Sequence, residues 1–200
     1  NRQKGHFETD RGQYDEDTEI LFPPGCGSLY RKEMLERIGL FDEDFFAYGE
    51  DTDLGLRGRL AGWKCICAPK AVIYHKRSGS TGEYSAFKAF HVERNRIWVA
   101  VKSFPLPLLL MTPFFTMYRY LFQVWAVFTK RGMAGKFASE NSSLALVPIL
   151  LKAYWSAFQL LPVMWRKRLA IRRLTVLSNR EILDWFTYHG ISARDIAFMN

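Results

Sequence analysis

Apolar and polar positions divide the chain into short, mixed elements at the front and long, strongly apolar ones behind. Residues 1–18 are polar, with Gly5, Gly12 and the acidic run Asp15-Glu16-Asp17, and read as loop or irregular edge. Glu19-Ile20-Leu21-Phe22 predicts a short strand stopped by Pro23-Pro24, because proline cannot donate to a sheet ladder. Residues 31–38 predict a short amphipathic helix closed by Gly39. Residues 51–60 predict a second helix, with Gly62 ending the run. Two short strands follow at 63–68 and 71–75 around Pro69-Lys70, then a Gly/Ser loop at 76–83 that carries Lys76 and Arg77.

From Tyr84 the character changes. Residues 84–102 predict one helix, with Phe87, Phe90, Ile97, Trp98 and Val101 apolar and Lys88, His91, Arg94, Arg96 and Lys102 basic. Residues 104–128 are strongly apolar but broken by Pro105, Pro107, Pro113 and Arg119; residues 144–164 are similar, interrupted by Pro148, Lys152 and Pro162. A spanning helix needs about 20 apolar residues without central charge. Helices lying in the membrane interface fit these segments better. The basic cluster Arg166-Lys167-Arg168 with Arg172-Arg173 would add attraction to anionic lipid of roughly 1 kcal/mol per residue. The competing reading is an ordinary helical bundle with a solvated basic face. Ser178, with Glu181 three residues on, predicts a capped final helix.

Composition sharpens this division. Two hundred residues suffice for one domain, or a small domain with a helical appendage. Residues 1–55 hold 14 acidic and 6 basic side chains, whereas residues 56–200 hold 6 and 22. An acidic front and a basic, aromatic-rich back imply different partners for the two regions. Three cysteines, Cys26, Cys65 and Cys67, stand at no zinc or disulfide spacing, which suits a reducing compartment. The chain opens at Asn1 without a Met or a signal peptide, so a piece of something longer is expected.

The chemistry concentrates where Glu50, Asp51 and Asp53 open the acidic helix, just behind Phe41, Phe45, Phe46, Tyr48 and Gly49. Alone, such carboxylates are a charged cap favoured by the helix dipole. Gly25-Cys26-Gly27-Ser28 is either a tight turn or a bare backbone surface against which a ligand packs. His75 ends a strand and enters a flexible loop, a place where a histidine is most often structural.

Taken together these runs resemble a known family. Phe22-Pro23-Pro24-Gly25-Cys26-Gly27-Ser28-Leu29-Tyr30-Arg31 is followed by Ile38-Gly39-Leu40-Phe41-Asp42-Glu43. Phe46-Ala47-Tyr48-Gly49-Glu50-Asp51-Thr52-Asp53-Leu54, Arg57, Ala61-Gly62-Trp63 and His75 complete the pattern. It is similar to the second half of the GT-A domain in family-2 inverting glycosyltransferases, especially the bacterial rhamnosyltransferase-like group. Arg94-Asn95-Arg96, Lys102-Ser103-Phe104-Pro105 and Trp165-Arg166-Lys167-Arg168 extend the likeness more loosely.

The resemblance implies an α/β fold. Residues 1–83 would be the acceptor-side half of a Rossmann-like GT-A catalytic domain, and residues 84–200 a mainly helical, amphipathic, membrane-associated region. It implies transfer of a sugar from a nucleotide-diphosphate sugar to a lipid-linked or polysaccharide acceptor with inversion, in cell-surface glycan synthesis. Asp51 would be the general base and Glu50 its neighbour, each carboxylate hindering the other's ionisation and so raising one pKa. Gly25, Cys26, Gly27 and Ser28, with Asp53 and Arg77, would face substrate, and Asp53 would also pair with Arg57 at i+4. His75 would help hold a divalent metal, Mg or Mn, whose other ligands belong to the family's nucleotide-binding half. That half, ending in an Asp-x-Asp motif, has no counterpart in these 200 residues, so the chain is expected to be inactive alone.

The expected partners are a nucleotide-sugar donor, a lipid-linked or glycan acceptor and an anionic membrane surface, at the cytoplasmic face as a peripheral protein. A non-catalytic module that binds a glycan or lipid carrier is the alternative. Nucleic acid is not expected, because no reading helix or aromatic RNA platform accompanies the charge.

Overall fold

Three residues of the first apolar segment pair with three of a later one. Strand β1 (Thr18–Ile20) lies antiparallel to β2 (Cys65–Cys67), with Thr18 opposite Cys67 and Ile20 opposite Cys65. In this computed structural model residues 9–75, 85–129, 145–190 and 192 are described. Between the strands come α1 (Lys32–Ile38), a 3-10 turn (Glu43–Phe45) and α2 (Glu50–Leu60). After them come α3 (Ala86–Ser103), α4 (Leu106–Phe128), α5 (Leu146–Gln159), α6 (Leu161–Leu174) and α7 (Asn179–Tyr188). The described chain is thus helix-rich around one small sheet.

The strand expected at 71–75 does not form. Ala71 N–H donates back to Ala68 O across the Pro69-Lys70 turn, and no described strand lies beside the exposed Val72, Ile73 and Tyr74. The first strand is also shorter than its apolar run, because Leu21 turns into the core and Phe22 packs on α2. Close approach there depends on Gly55: a Cβ at that position would stand 2.2 Å from the Cβ of Phe22.

Helix α3 is the spine. Ser85 caps it by accepting from Lys88 N–H, and Trp98 in its last turns is fully buried. The Trp98 ring meets Phe45 edge-on, with centroids 5.7 Å apart. Its indole N–H donates to Ala157 O at 3.3 Å on α5, where Ala153 and Ala157 let the two helices come close. Leu21, Phe45 and Leu56 share this core with Trp98, Val99, Val101, Ala157 and Met164. The boundary at residue 83 marks a change of sequence character, and packing crosses it.

Residues 106–128 form one helix despite Pro113. Pro107 sits in its first turn, where its missing N–H would have had no partner. The apolar segment at 144–164, by contrast, divides at Leu160: Pro162 starts α6, and the axes of α5 and α6 differ by 57°. Among the described residues no single helix is long and apolar enough to cross a membrane, although this bent pair would be by length and composition. The Ser178–Glu181 capping box forms as expected.

Candidate active site

Asp51 stands in the first turn of α2, and its carboxylate is fixed from two directions. Gly25 N–H donates to Oδ2 at 3.0 Å, and Thr52 N–H donates to Oδ1 at 2.6 Å. The Pro-Gly loop and the acidic helix, 26 residues apart in sequence, therefore meet at one carboxylate. The Thr52 hydroxyl also donates to Oδ1, at 3.3 Å, and since a carboxylate oxygen has two acceptor sites it is Oδ2 that keeps capacity for a further proton donor.

Glu50, beside it, has Oε2 buried without a hydrogen-bond partner. Burial pushes its carboxyl above the usual range, and the charge of Asp51 adds to the rise. The sequence expectation named the neighbouring charge; here desolvation is the larger cause. Both acids line a cavity of about 640 Å³ together with Tyr48, Val92, Arg96, Phe115 and Arg119. Of the Gly25–Ser28 group, Gly25 alone touches this acid. Cys26 is exposed, Gly27 N–H closes a turn onto Pro24 O at 3.2 Å, and Ser28 is half-buried. The tight-turn reading accounts for those three, whereas Gly25 presents its backbone to the site.

Asp53 is absent from the lining of that cavity. It is fully buried, and Oδ2 accepts from Arg57 Nε at 2.8 Å, the expected i+4 pair. Lys102 Nζ of α3 lies 2.6 Å from Asp53 Oδ1, an ion pair whose angle falls outside hydrogen-bond geometry. The same ammonium donates to Asp42 Oδ2 at 2.6 Å, and Lys167 of α6 donates to both Asp42 and Asp44. Arg57 also donates to the carbonyls of Ile38, Gly39 and Leu40. The acids of the Phe41-Asp42-Glu43-Asp44 run thus lock the loop before α2 onto α3 and α6.

That loop is strained. Phe46 and Tyr48 adopt positive φ, 61° and 64°, a region costly for bulky residues. Asn95 holds it: its Nδ2 donates to the carbonyls of Phe45, Ala47 and Tyr48 at 2.9, 2.8 and 2.7 Å. Arg94 donates to Asp44 O and Phe45 O. Two residues of Arg94-Asn95-Arg96 therefore set the backbone that delivers Glu50 and Asp51 to the cavity.

Sequence reasoning missed the third group of charges. Glu93 Oε2 accepts from Arg119 at 2.7 Å, Arg96 at 3.1 Å and the Tyr120 hydroxyl at 3.0 Å. Burial favours the neutral Glu93 carboxyl, but Arg96, Arg119 and these bonds outweigh it and hold the group below its ordinary range. The signal was present: an arginine inside an apolar helix needs a buried partner.

The basic cluster of α6 differs from expectation in a related way. Lys167 is engaged by Asp42 and Asp44, Arg168 donates to Val101 O and Arg172 to Phe104 O. Arg166 and Arg173 remain exposed. Protein carbonyls and carboxylates, rather than lipid, receive most of this charge.

His75 is exposed at the end of its irregular segment. Arg77 and Lys76 lie outside the described residues. Among the described residues no three of His, Cys, Asp and Glu come together to hold a metal ion. The three cysteines are free thiols.

The chain belongs to glycosyl transferase family group 2, whose family model matches residues 6–171, and with it to the GT-A type of α/β fold. An N-acetylglucosaminyl-diphospho-decaprenol L-rhamnosyltransferase of Mycobacterium tuberculosis is 37% identical over 77 residues, 38% of this chain and 25% of that protein. The O-antigen biosynthesis protein RfbC of Myxococcus xanthus is 36% identical over 52 residues, 26% of this chain and 4% of that protein. The matched stretch thus spans a quarter or less of these curated relatives. No solved structure matches the chain.

Proposed function

We propose that this chain forms the acceptor side of an inverting glycosyltransferase that moves a sugar from a nucleotide-diphosphate sugar to a lipid-linked acceptor in cell-surface glycan synthesis. The observation that carries the reading is Asp51, oriented by two backbone N–H groups at the wall of a cavity large enough for a substrate. In the proposed step an acceptor hydroxyl oxygen attacks the anomeric carbon as the bond to the nucleotide diphosphate breaks on the opposite face. The hydroxyl proton passes to Asp51, whose placement supplies the general base. Glu50, half-buried beside it with Oε2 unpartnered, orients the acceptor.

Two similarities support the acceptor class. The rhamnosyltransferase relative is named for a decaprenol diphosphate carrier, and the helical back half exposes unusual apolar area. Leu110, Phe114, Leu121, Trp125 and Phe128 of α4 and Leu151, Trp155 and Phe158 of α5 are all exposed. We place these faces in the interface of the cytoplasmic leaflet, as a peripheral attachment that brings the cavity to a lipid carrier.

The test is sugar transfer by the full-length protein, nucleotide-binding half included, from labelled nucleotide-sugar to a polyprenyl-diphosphate acceptor, with the product's anomeric configuration read by NMR. Inverted product is expected. Acceptor binding without transfer from any nucleotide-sugar would leave the chain as a carrier-binding module.

A further inference from the structure

Two cavities share lining residues in this molecule, and they differ in chemistry. The first holds Glu50 and Asp51 at one end and is also lined by Arg96 and Arg119. The second, about 690 Å³, is walled by apolar side chains that include Leu109, Met117, Leu121, Val124, Phe158 and Leu161. Ala100 and Thr112 line both. The Glu93 cluster stands at this junction. Arg96 and Arg119 line the first cavity, while Thr116, Tyr120 and Tyr154, which contact Arg96 or Glu93, line the second.

The cluster carries charge it does not use. Two guanidinium groups share one carboxylate oxygen, Glu93 Oε2, which leaves one positive charge uncompensated. Arg119 is buried, and its Nε has no hydrogen-bond partner among the described residues; the Nε of Arg96 is in the same condition. Buried donors without acceptors are rare and costly. A guanidinium fork matches the oxygens of a phosphate, and arginine is the side chain suited to a charge-assisted, bidentate contact.

We infer that Arg96 and Arg119 form the diphosphate subsite for a lipid-linked acceptor whose hydrocarbon chain lies in the apolar cavity and whose sugar reaches Asp51. Carboxylates and arginines share the first cavity, and the apolar groove lies on the other side of Ala100 and Thr112, a grouping that matches the sugar, diphosphate and hydrocarbon of such a ligand. Charge complementarity selects this occupant over a neutral lipid, which would leave the second guanidinium charge uncompensated. The assignment rests on the reading of Asp51 as the base in the same cavity, and its test is built to separate the two.

Binding of geranylgeranyl diphosphate to the purified protein in detergent is compared with that of geranylgeraniol and of inorganic pyrophosphate. The intact lipid diphosphate is expected to bind tightest, and Arg96→Gln to weaken it by about tenfold, the factor for one lost charge-assisted bond. Arg119→Gln alone strands Glu93, so it is made with Glu93→Gln to keep the buried pair neutral, and the same loss is expected. Val124→Trp, at a partly exposed position on the apolar cavity, is expected to weaken the lipid diphosphate and not pyrophosphate. Equal binding of geranylgeraniol and its diphosphate, or unchanged affinity in both arginine variants, overturns the subsite. Asp51→Asn is expected to keep lipid binding. Arginine variants that lose binding while Asp51→Asn retains transfer would uphold the subsite and remove the base.

Discussion

The amide of Gly25 donates to Asp51 Oδ2 at 3.0 Å. A Cβ on Gly25 would lie 3.4 Å from the Cβ of Asp51, ordinary contact, so it is the N–H of this residue that matters to the acid. Gly25→Ala is therefore expected to keep transfer near its original rate. Gly25→Pro removes the donor and is expected to lower kcat by about tenfold or more, as one bond to a charged group is worth roughly 1.5–3 kcal/mol. Equal effects of the two substitutions would show that the loop's shape, and not the bond, positions Asp51.

Glu50 sets a pH dependence of stability with a definite sign. Its folded-state pKa is raised, by burial first and by Asp51 second, so the folded protein binds a proton that the unfolded chain has released. Stability from this group is present below the unfolded value near 4.5 and is lost as pH rises through the folded one. Glu50→Gln removes the cost of the buried charge. Urea midpoints are expected to exceed those of the unaltered protein at neutral pH, with the difference closing in acid. A constant difference at all pH values would contradict the assignment.

Lys102 holds two acids at once, Asp42 and Asp53, from a fully buried position. Removing one partner of a buried pair costs about 3–5 kcal/mol because the other charge is stranded. Lys102→Met is expected to lower the unfolding free energy by about that amount, measured by urea titration. Asp53 keeps Arg57 and Asp42 keeps Lys167 after this change, so a loss at the lower end of that range is expected. A loss of well under about 1 kcal/mol would show that those remaining partners carry both acids.

Membrane attachment is expected to depend on area more than on charge. Lys167, Arg168 and Arg172 are occupied by protein acceptors, whereas the exposed face of α4 is apolar. Flotation with phosphatidylglycerol-containing vesicles is therefore expected to persist at high salt, and Phe114→Ser with Leu121→Ser to reduce it strongly. Release by salt alone would return the attachment to the basic side chains.

Much of the site was legible because its chemistry is local. The acids, the glycine loop and the i+4 pair Asp53–Arg57 sit within short windows whose spacing carries the family's signature. Helix 86–103 was legible through its apolar positions, and helix 179–188 through its serine cap. What was hidden depends on distant partners. Asp53 reads as a substrate-facing acid until Lys102, 49 residues on, is placed against it. The strand expected at 71–75 failed because sheet pairing needs a neighbour that no local pattern reveals. Glu93 and Arg119, 26 residues apart, announce themselves separately as oddities and together only in three dimensions. The basic run of α6 looked like a lipid-facing patch because sequence shows charge and not its acceptors.

The most direct test of the account is the transfer rate of Asp51→Asn, with lipid-acceptor binding measured on the same preparation. Asparagine keeps the shape and a carbonyl oxygen for the Gly25 N–H but cannot accept the hydroxyl proton. The account predicts kcat lowered by about a hundredfold to ten-thousandfold, the usual contribution of a general base, with acceptor affinity retained. An unchanged kcat would contradict it.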